Sequence, residues 1–398
     1  MKTIINKFTF ITTTLFVIFF TIVSPSYAQT DNINQENINI EPPKEEIVEG
    51  VVISIKETGQ ETAFDQLAPY QILEVQFTNS ERTGQSVEVK NSSAFADITA
   101  QYEDYKVNDK LKIYSGKDFE NNDVYVVAGR IKRHGLTVLT ILFILAVLII
   151  GRIWGAMSLI GLALSFGVIF RIIIPMIIKG YDPVIAALIG SMIIIPSTFY
   201  VSHGINKKTH VGVISTLIAL SFTGFLAVYF VDKVHLTGFA SEEAGFLQIE
   251  RQGTIDIKGL LLAGIIIGTL GILDDVTIGQ ASVVKQIKHA KPSIKFWTLF
   301  KKGMEVGQDH IASMVNTLIL VYAGSSLPLL LLFFDSQKTF IDIIEFEVIA
   351  EEIVKMLVGS IGLILAAPLA TLIAAYVFTK YHDDTKKTAH KERSFHSH

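Results

Sequence analysis

From about residue 135 onward the chain is a succession of long apolar runs separated by short polar ones; before that point apolar and polar residues alternate at short range. The runs fall at about 136–151, 153–178, 183–202, 211–231, 258–281, 311–334 and 353–379. At about 1.5 Å of rise per residue, runs of this length suit a hydrocarbon core of about 30 Å. They predict a membrane α-helical bundle of about seven transmembrane helices over residues 135–380. The alternating stretches Val48-Glu-Gly-Val-Val-Ile-Ser-Ile, Ile72-Leu-Glu-Val-Gln-Phe, Ser86-Val-Glu-Val, Lys110-Leu-Lys-Ile-Tyr and Val124-Tyr-Val-Val predict strands separated by turn-forming residues. They predict a small β-barrel or sandwich of OB or SH3-like type over residues 47–134. Its tyrosines Tyr102, Tyr105, Tyr114 and Tyr125 are read either as a ligand face or as half-buried strand residues.

The first 28 residues have a different pattern. Lys2 and Lys7 precede an apolar run from Phe8 to Val23, and Ser24-Pro-Ser-Tyr-Ala28 supplies small residues. This is a signal peptide cut after Ala28 or an uncleaved anchor helix, and both place residues 29–134 outside the cytoplasm. Residues 29–46 read as a disordered leader. Cytoplasmic segments then carry Arg152, Lys207, Lys208, six lysines between Lys285 and Lys302, and the basic tail 381–398. The outer loops after the first span hold few basic residues, so the positive-inside rule also puts the sheet domain outside and the C-terminus inside. Lys132 and Arg133, just outside the first span, run against it. This charge pattern fits a multi-pass membrane protein.

Composition narrows the function classes. Half of the residues are hydrophobic and 18% are charged, as expected of an integral membrane protein. A formal net charge of -4 is too small to suggest a nucleic-acid partner. The absence of cysteine excludes disulfides and thiolate chemistry. No GxSxG, HExxH or phosphate-binding glycine loop is present, so neither an enzyme, a catalytic residue nor a cofactor is expected. The tail histidines His382, His390, His396 and His398 fit no defined metal site. Acidic outer loops, at 232–256 and 335–352, are read as a solvated surface or a cation-gathering one.

Two constellations carry candidate chemistry. Asp274 and Asp275 lie in an otherwise apolar run between Lys258 and Lys285, which are separated by about 26 residues or about 39 Å of helix. Asp274 falls about 24 Å in from Lys258. Ionisable groups at membrane depth are costly and usually functional; alternatively the helix ends near Asp275 and the pair marks an inner boundary. In the next span Asp309, Ser313 and Asn316 form one polar stripe, with His310 and Thr317 beside it. These residues serve either as hydrogen-bonding glue between helices or as proton partners of the aspartates. The segment 293–310 reads as an amphipathic helix on the inner leaflet. Gly268 and Gly271, with Gly359, Gly362 and Pro368 of the last span, are expected to permit close helix packing and a kink.

Gly271-Ile-Leu-Asp-Asp-Val-Thr-Ile-Gly-Gln-Ala-Ser, the stretch from Gly307-Gln-Asp-His to Ser326-Leu-Pro, Ser202-His-Gly-Ile-Asn-Lys-Lys-Thr and the Ala366-Ala-Pro-Leu ending resemble the YibE/F family of multi-pass bacterial membrane proteins. The resemblance implies a plasma-membrane location and no settled activity. The order of an aspartate helix, an amphipathic segment, a polar helix and a small-residue helix is also similar to the last three helices of SecD, SecF and related RND transporters. That similarity implies a proton-carrying aspartate at Asp274 or Asp275 with Asn316 and Thr317 across from it, although the last helix carries no matching basic partner. It also implies assembly as a homodimer or with a paralogue. The expected function is a proton- or cation-coupled transporter or export factor. The alternative is a non-transporting assembly or scaffold protein whose β-domain binds an extracytoplasmic partner.

Overall fold

The computed structural model describes residues 46–63, 66–79, 82–92, 102–117, 122–334 and 339–380. The segment read as a signal peptide or anchor helix, the leader as far as residue 45 and the tail with its four histidines lie outside the described residues. The chain divides into two compact units, Met1–Leu145 and Ala146–His398.

In the first unit the alternating stretches become five antiparallel strands, β1 (Glu46–Ala63), β2 (Gln66–Phe77), β3 (Ser86–Ser92), β4 (Lys110–Lys117) and β5 (Asp123–Arg130). Their order in the sheet is β3-β2-β1-β4-β5, and the two edge strands β3 and β5 come into contact. Side chains of period two point inward: Val48 and Val52 of β1 pack with Leu73, Val75, Phe77, Val89, Leu111 and Ile113. Bulges between Val52 and Ser54 and between Ile55 and Glu57 bend β1, whose first part pairs with β4 and whose longer remainder pairs with β2. Where the two pairings overlap stands Gly50; a Cβ there would lie 2.5 Å from Val75 Cγ1.

The four tyrosines do not form a common ligand face. Tyr105 is buried in the core, with the Arg130 guanidinium 5.3 Å from its ring centre. Tyr125 packs on Phe77 and its hydroxyl accepts a hydrogen bond from Arg82 at 2.7 Å. The Tyr102 hydroxyl is buried; this burial, followed by the neighbouring Asp104, pushes its pKa up to about 12. Only Tyr114 is exposed. Alternation shows which residues are in strands, but not which face of each strand the fold covers. Arg133, one of the two residues against the charge rule, donates to both oxygens of Glu49 at 2.6 and 2.7 Å.

The remaining elements are helices: α1 (Arg133–Val168), a π-helical turn (Ile169–Ile173), α2 (Ile174–Ile178), α3 (Pro183–His203), α4 (Lys207–Lys233), α5 (Glu242–Glu250), α6 (Ile257–Ala290), α7 (Phe296–Ser325), α8 (Leu327–Phe334), α9 (Phe340–Ile344) and α10 (Glu347–Lys380). Among the described residues, five helices are long and apolar enough to cross a membrane, or six if α7 and α8, bent by 65°, count as one span. The first of them runs for 46 residues from Arg133 to Ile178, but Arg152 at φ 50° and ψ -129° breaks it. The chain turns there so sharply that Gly155 lies against the Val147 carbonyl; eight residues along a straight helix would separate them by about 12 Å.

Helices α4, α6 and α10 pack on one another, with α3 against α6 and α7 against α10 and α6. The turn between α3 and α4 is built by Gly204 at φ 72° and by Asn206, whose carboxamide oxygen accepts from Thr209 N at 3.2 Å. The amphipathic segment is not a separate surface helix, because residues 296–325 form one continuous α7. Leu299, Val284, Ala374 and Ala375 build a shared core there, and burial of the apolar face outweighs a position on the leaflet. Gly362 of α10 lies against the Thr223 side chain of α4 with no room for a Cβ.

A Gly362→Val substitution therefore overpacks the α4–α10 contact and is expected to cost about 1–3 kcal/mol, seen as a lower melting temperature in detergent. Gly324, which has open space around it, is the control: Gly324→Ala melts near wild type, and equal melting of both variants contradicts the packing. Tyr102 has a folded pKa above its unfolded value of about 10, so it leaves stability unchanged below pH 10 and lowers it as pH rises toward 12. In an alkaline absorbance titration, Tyr102→Phe should remove the latest-ionising tyrosine; an unaltered curve contradicts its burial.

Candidate functional site

Helix α6 supplies the frame. It does not stop at the aspartates but continues to Ala290, so Asp274 and Asp275 stand near its middle. The apolar residues around them, Leu270, Leu273 and Val276, are buried in the main core and hold the helix face. Asp274 is half-buried, and its Oδ1 is fully buried with no hydrogen-bond partner among the described residues. Asp275, one residue and about 100° further round, is exposed.

Other polar groups lie on the same stretch of α6 and on the helices packed against it. The Thr277 hydroxyl lies 3.3 Å from the Asp274 carbonyl and 2.6 Å from the Thr216 hydroxyl of α4, which ties α4 to α6. One turn further along α6, Gln280 is buried with its side-chain amide nitrogen against Gly307 of α7, and its Oε1 has no partner among the described residues. His203, the last residue of α3, is half-buried, edge-on to Phe199 and within electrostatic reach of Asp275. The motif Ser202-His-Gly-Ile-Asn signals this turn, but nothing in the sequence links His203 to an aspartate some seventy residues later.

The second polar stripe lies elsewhere. Asp309, His310, Ser313, Asn316 and Thr317 are all exposed, whereas Gly303, Gly307 and Leu318 of the same helix are buried. No hydrogen bond or ion pair joins them to Asp274 or Asp275 among the described residues; the Thr317 hydroxyl donates to the Ser313 carbonyl at 2.9 Å. The expected close-packing residues also divide. A Cβ added at Gly359 would lie 3.3 Å from Thr269 Cγ2, and Gly362 lies against Thr223, whereas Gly268 and Gly271 face open space. Pro368 is carried inside α10.

A further ionic group stands at the other end of α10. Lys355 bridges Glu351 Oε1 at 2.7 Å and Glu352 Oε1 at 3.0 Å, and Glu351 is buried. By hydropathy alone the two glutamates fall in an acidic outer loop and the last span has no basic partner; Glu351 and Lys355, four residues apart, are the overlooked signal of a helix. Other acids of that region serve as caps: Asp342 closes a capping box with Thr339, and Glu347 accepts from Thr237 N at 2.7 Å and Gly238 N at 3.1 Å. Among the described residues no three His, Asp or Glu side chains converge on a point that could hold a metal ion. Lys355→Met leaves a buried glutamate without its cation and should destabilise the purified protein, while Glu351→Gln with Lys355→Met recovers part of the loss. Additive melting shifts in that double-mutant cycle contradict the bridge.

No curated protein and no solved structure matches the chain. The family model described as YibE/F-like protein matches residues 139–380, well over half of the sequence and every helix that builds this site. This multi-pass helical membrane protein belongs to the YibE/F-like family.

Proposed function

We propose that the protein is a proton- or cation-coupled transporter or export factor of the bacterial plasma membrane, with Asp274 as the proton-carrying group and Asp275 beside it. The observation behind this reading is the Asp274 carboxylate oxygen, buried without a partner among the described residues in the middle of an apolar helix. A carboxylate so placed is costly as an anion and far less so once protonated, so its charge state is coupled to what surrounds it. His203 supplies a second titratable group on the Asp275 side. Thr216, Thr277 and Gln280 add groups able to hydrogen-bond an incoming ion or water. The chemistry required is proton binding and release, not bond cleavage.

The topology of this reading has seven spans. The break at Arg152 divides the first candidate in two, and the bent α7–α8 pair counts as one. An odd number puts the sheet domain and the C-terminus on opposite sides, and the lysine distribution favours the C-terminus inside. The sheet order, with β3 meeting β5, fits a small barrel of OB type.

A second reading, an assembly or scaffold protein, is favoured by one observation. On the outer face of the sheet Ile47, Tyr114 and Val126 are register partners across β1, β4 and β5, and they are 53%, 41% and 45% exposed. Such a row suits an extracytoplasmic partner. The two readings part in one experiment on cells lacking the gene and on liposomes holding the purified protein. Under the transport reading Asp274→Asn abolishes pH-gradient-driven proton flux and complementation, and Tyr114→Glu preserves the flux. Complementation lost by Tyr114→Glu and retained by Asp274→Asn contradicts transport and supports the scaffold.

A further inference from the structure

Helix α6 carries a stripe that no part of the described bundle covers. Gly264, Gly268, Gly271 and Asp275 succeed one another at spacings of four, three and four residues, and all are exposed. A Cβ added at Gly264, Gly268, Gly271 or Gly279 would meet nothing within 4 Å, so the stripe is an empty trough with a carboxylate set in it. The outward face of α7 is a stripe of the opposite shape, with the side chains of Asp309, Ser313 and Asn316 projecting from it. Neither face suits hydrocarbon: a charged or amide side chain turned to lipid is costly, and small-residue troughs are where membrane helices approach closely.

Depth relates the two stripes. Gly307 of α7 lies against Gln280 of α6, and a Cβ added at Gly359 of α10 would lie 3.3 Å from Thr269 Cγ2 and 3.7 Å from Leu318 Cδ2. Helices α6 and α7 are therefore antiparallel, with Asp275 near the depth of Ala312 and Ser313, and Gly271 near that of Asn316. A second copy rotated about the membrane normal keeps every residue at its own depth. We propose that the α6 trough of one chain receives the α7 polar stripe of a second copy, so that Ser313 and Asn316 of the second copy donate hydrogen bonds to Asp275. Asp309 of the second copy then comes level with Ile278, beside Gly279. This interface would complete the surroundings of the aspartate pair, but it rests on the two stripes alone and its test reads association, not transport.

The chain has no cysteine, so cross-linking needs no background removed. Gly271→Cys in one tagged copy and Asn316→Cys in a differently tagged copy, oxidised in native membranes, should give a covalent dimer carrying both tags. Gly264→Cys with Ala323→Cys should do the same one depth further out, and it stands in if the first pair inserts poorly. Gly271→Cys with Ile361→Cys, on an exposed apolar face of α10, is the negative control, because a disulfide needs Cα atoms within about 7 Å. Equal yields from the control and the test pairs overturn the proposal. So does a bond within one chain between Gly271→Cys and Leu142→Cys, which would put the chain's own helix in the trough. Absence of any cross-link from well-inserted proteins would leave the trough to lipid and also overturn it.

Discussion

The bundle depends on backbone-close packing of α4, α6 and α10. In a membrane, apolar side chains gain nothing by leaving lipid for protein, so helices must adhere through close contact and interhelical hydrogen bonds. Gly362 against Thr223, Gly359 against Thr269 and the Thr216–Thr277 hydroxyl pair supply both. They fix the rotation of α6 about its own axis, and that rotation decides where the two aspartates stand. With Leu273, Val276 and Thr277 turned inward, Asp274 is carried to the edge of the core and Asp275 out of it. A different rotation would have solvated both or buried both. Two adjacent carboxylates thus acquire different surroundings from a single packing choice.

The same packing gives α10 two distinct ends. Its first turns hold Lys355 between Glu351 and Glu352, and its last turns pack Ala374 and Ala375 against the first turns of α7. Between them lies a core with buried hydroxyls at Thr223, Thr269, Ser360 and Thr371. Several of these donate to the carbonyl four residues earlier in their own helix, the local solution available to threonine in an apolar setting. Ser360 Oγ, Gln280 Oε1 and Asp274 Oδ1 are polar atoms this solution leaves out. Two of these three belong to α6, in the region where the proposed function needs them.

Much of this architecture is legible in the sequence because hydrophobic period is a direct consequence of burial. Five strands and the apolar helices stand where alternation or long runs put them. Other features are not legible, for reasons that differ. The break at Arg152 does not belong with them, since the apolar runs at 136–151 and 153–178 already part at that residue. The continuity of α7 depends on partners for Leu299 that lie in other helices. His203 joins the Asp275 neighbourhood only through the α3–α6 contact, and the exposure of Asn316 and Thr317 is set by which face of α7 the glycines Gly303 and Gly307 commit to the bundle. Glu351 and Lys355 are legible in principle, as an i and i+4 pair, but the apolar run begins at about 353, between them, so Glu351 passes for loop acidity.

Chemical modification of Asp274 tests the central claim most directly. A hydrophobic carbodiimide reacts with a protonated carboxyl in an apolar setting and spares carboxylates in water, and peptide mass analysis locates the adduct. The account predicts an adduct at Asp274 in membranes near neutral pH, lost on raising the pH and absent in Asp274→Asn, with exposed acids such as Glu305 unlabelled. An unreactive Asp274, or labelling no greater than that of Glu305, would mean that water reaches the carboxylate, and the proton-carrying role would fall.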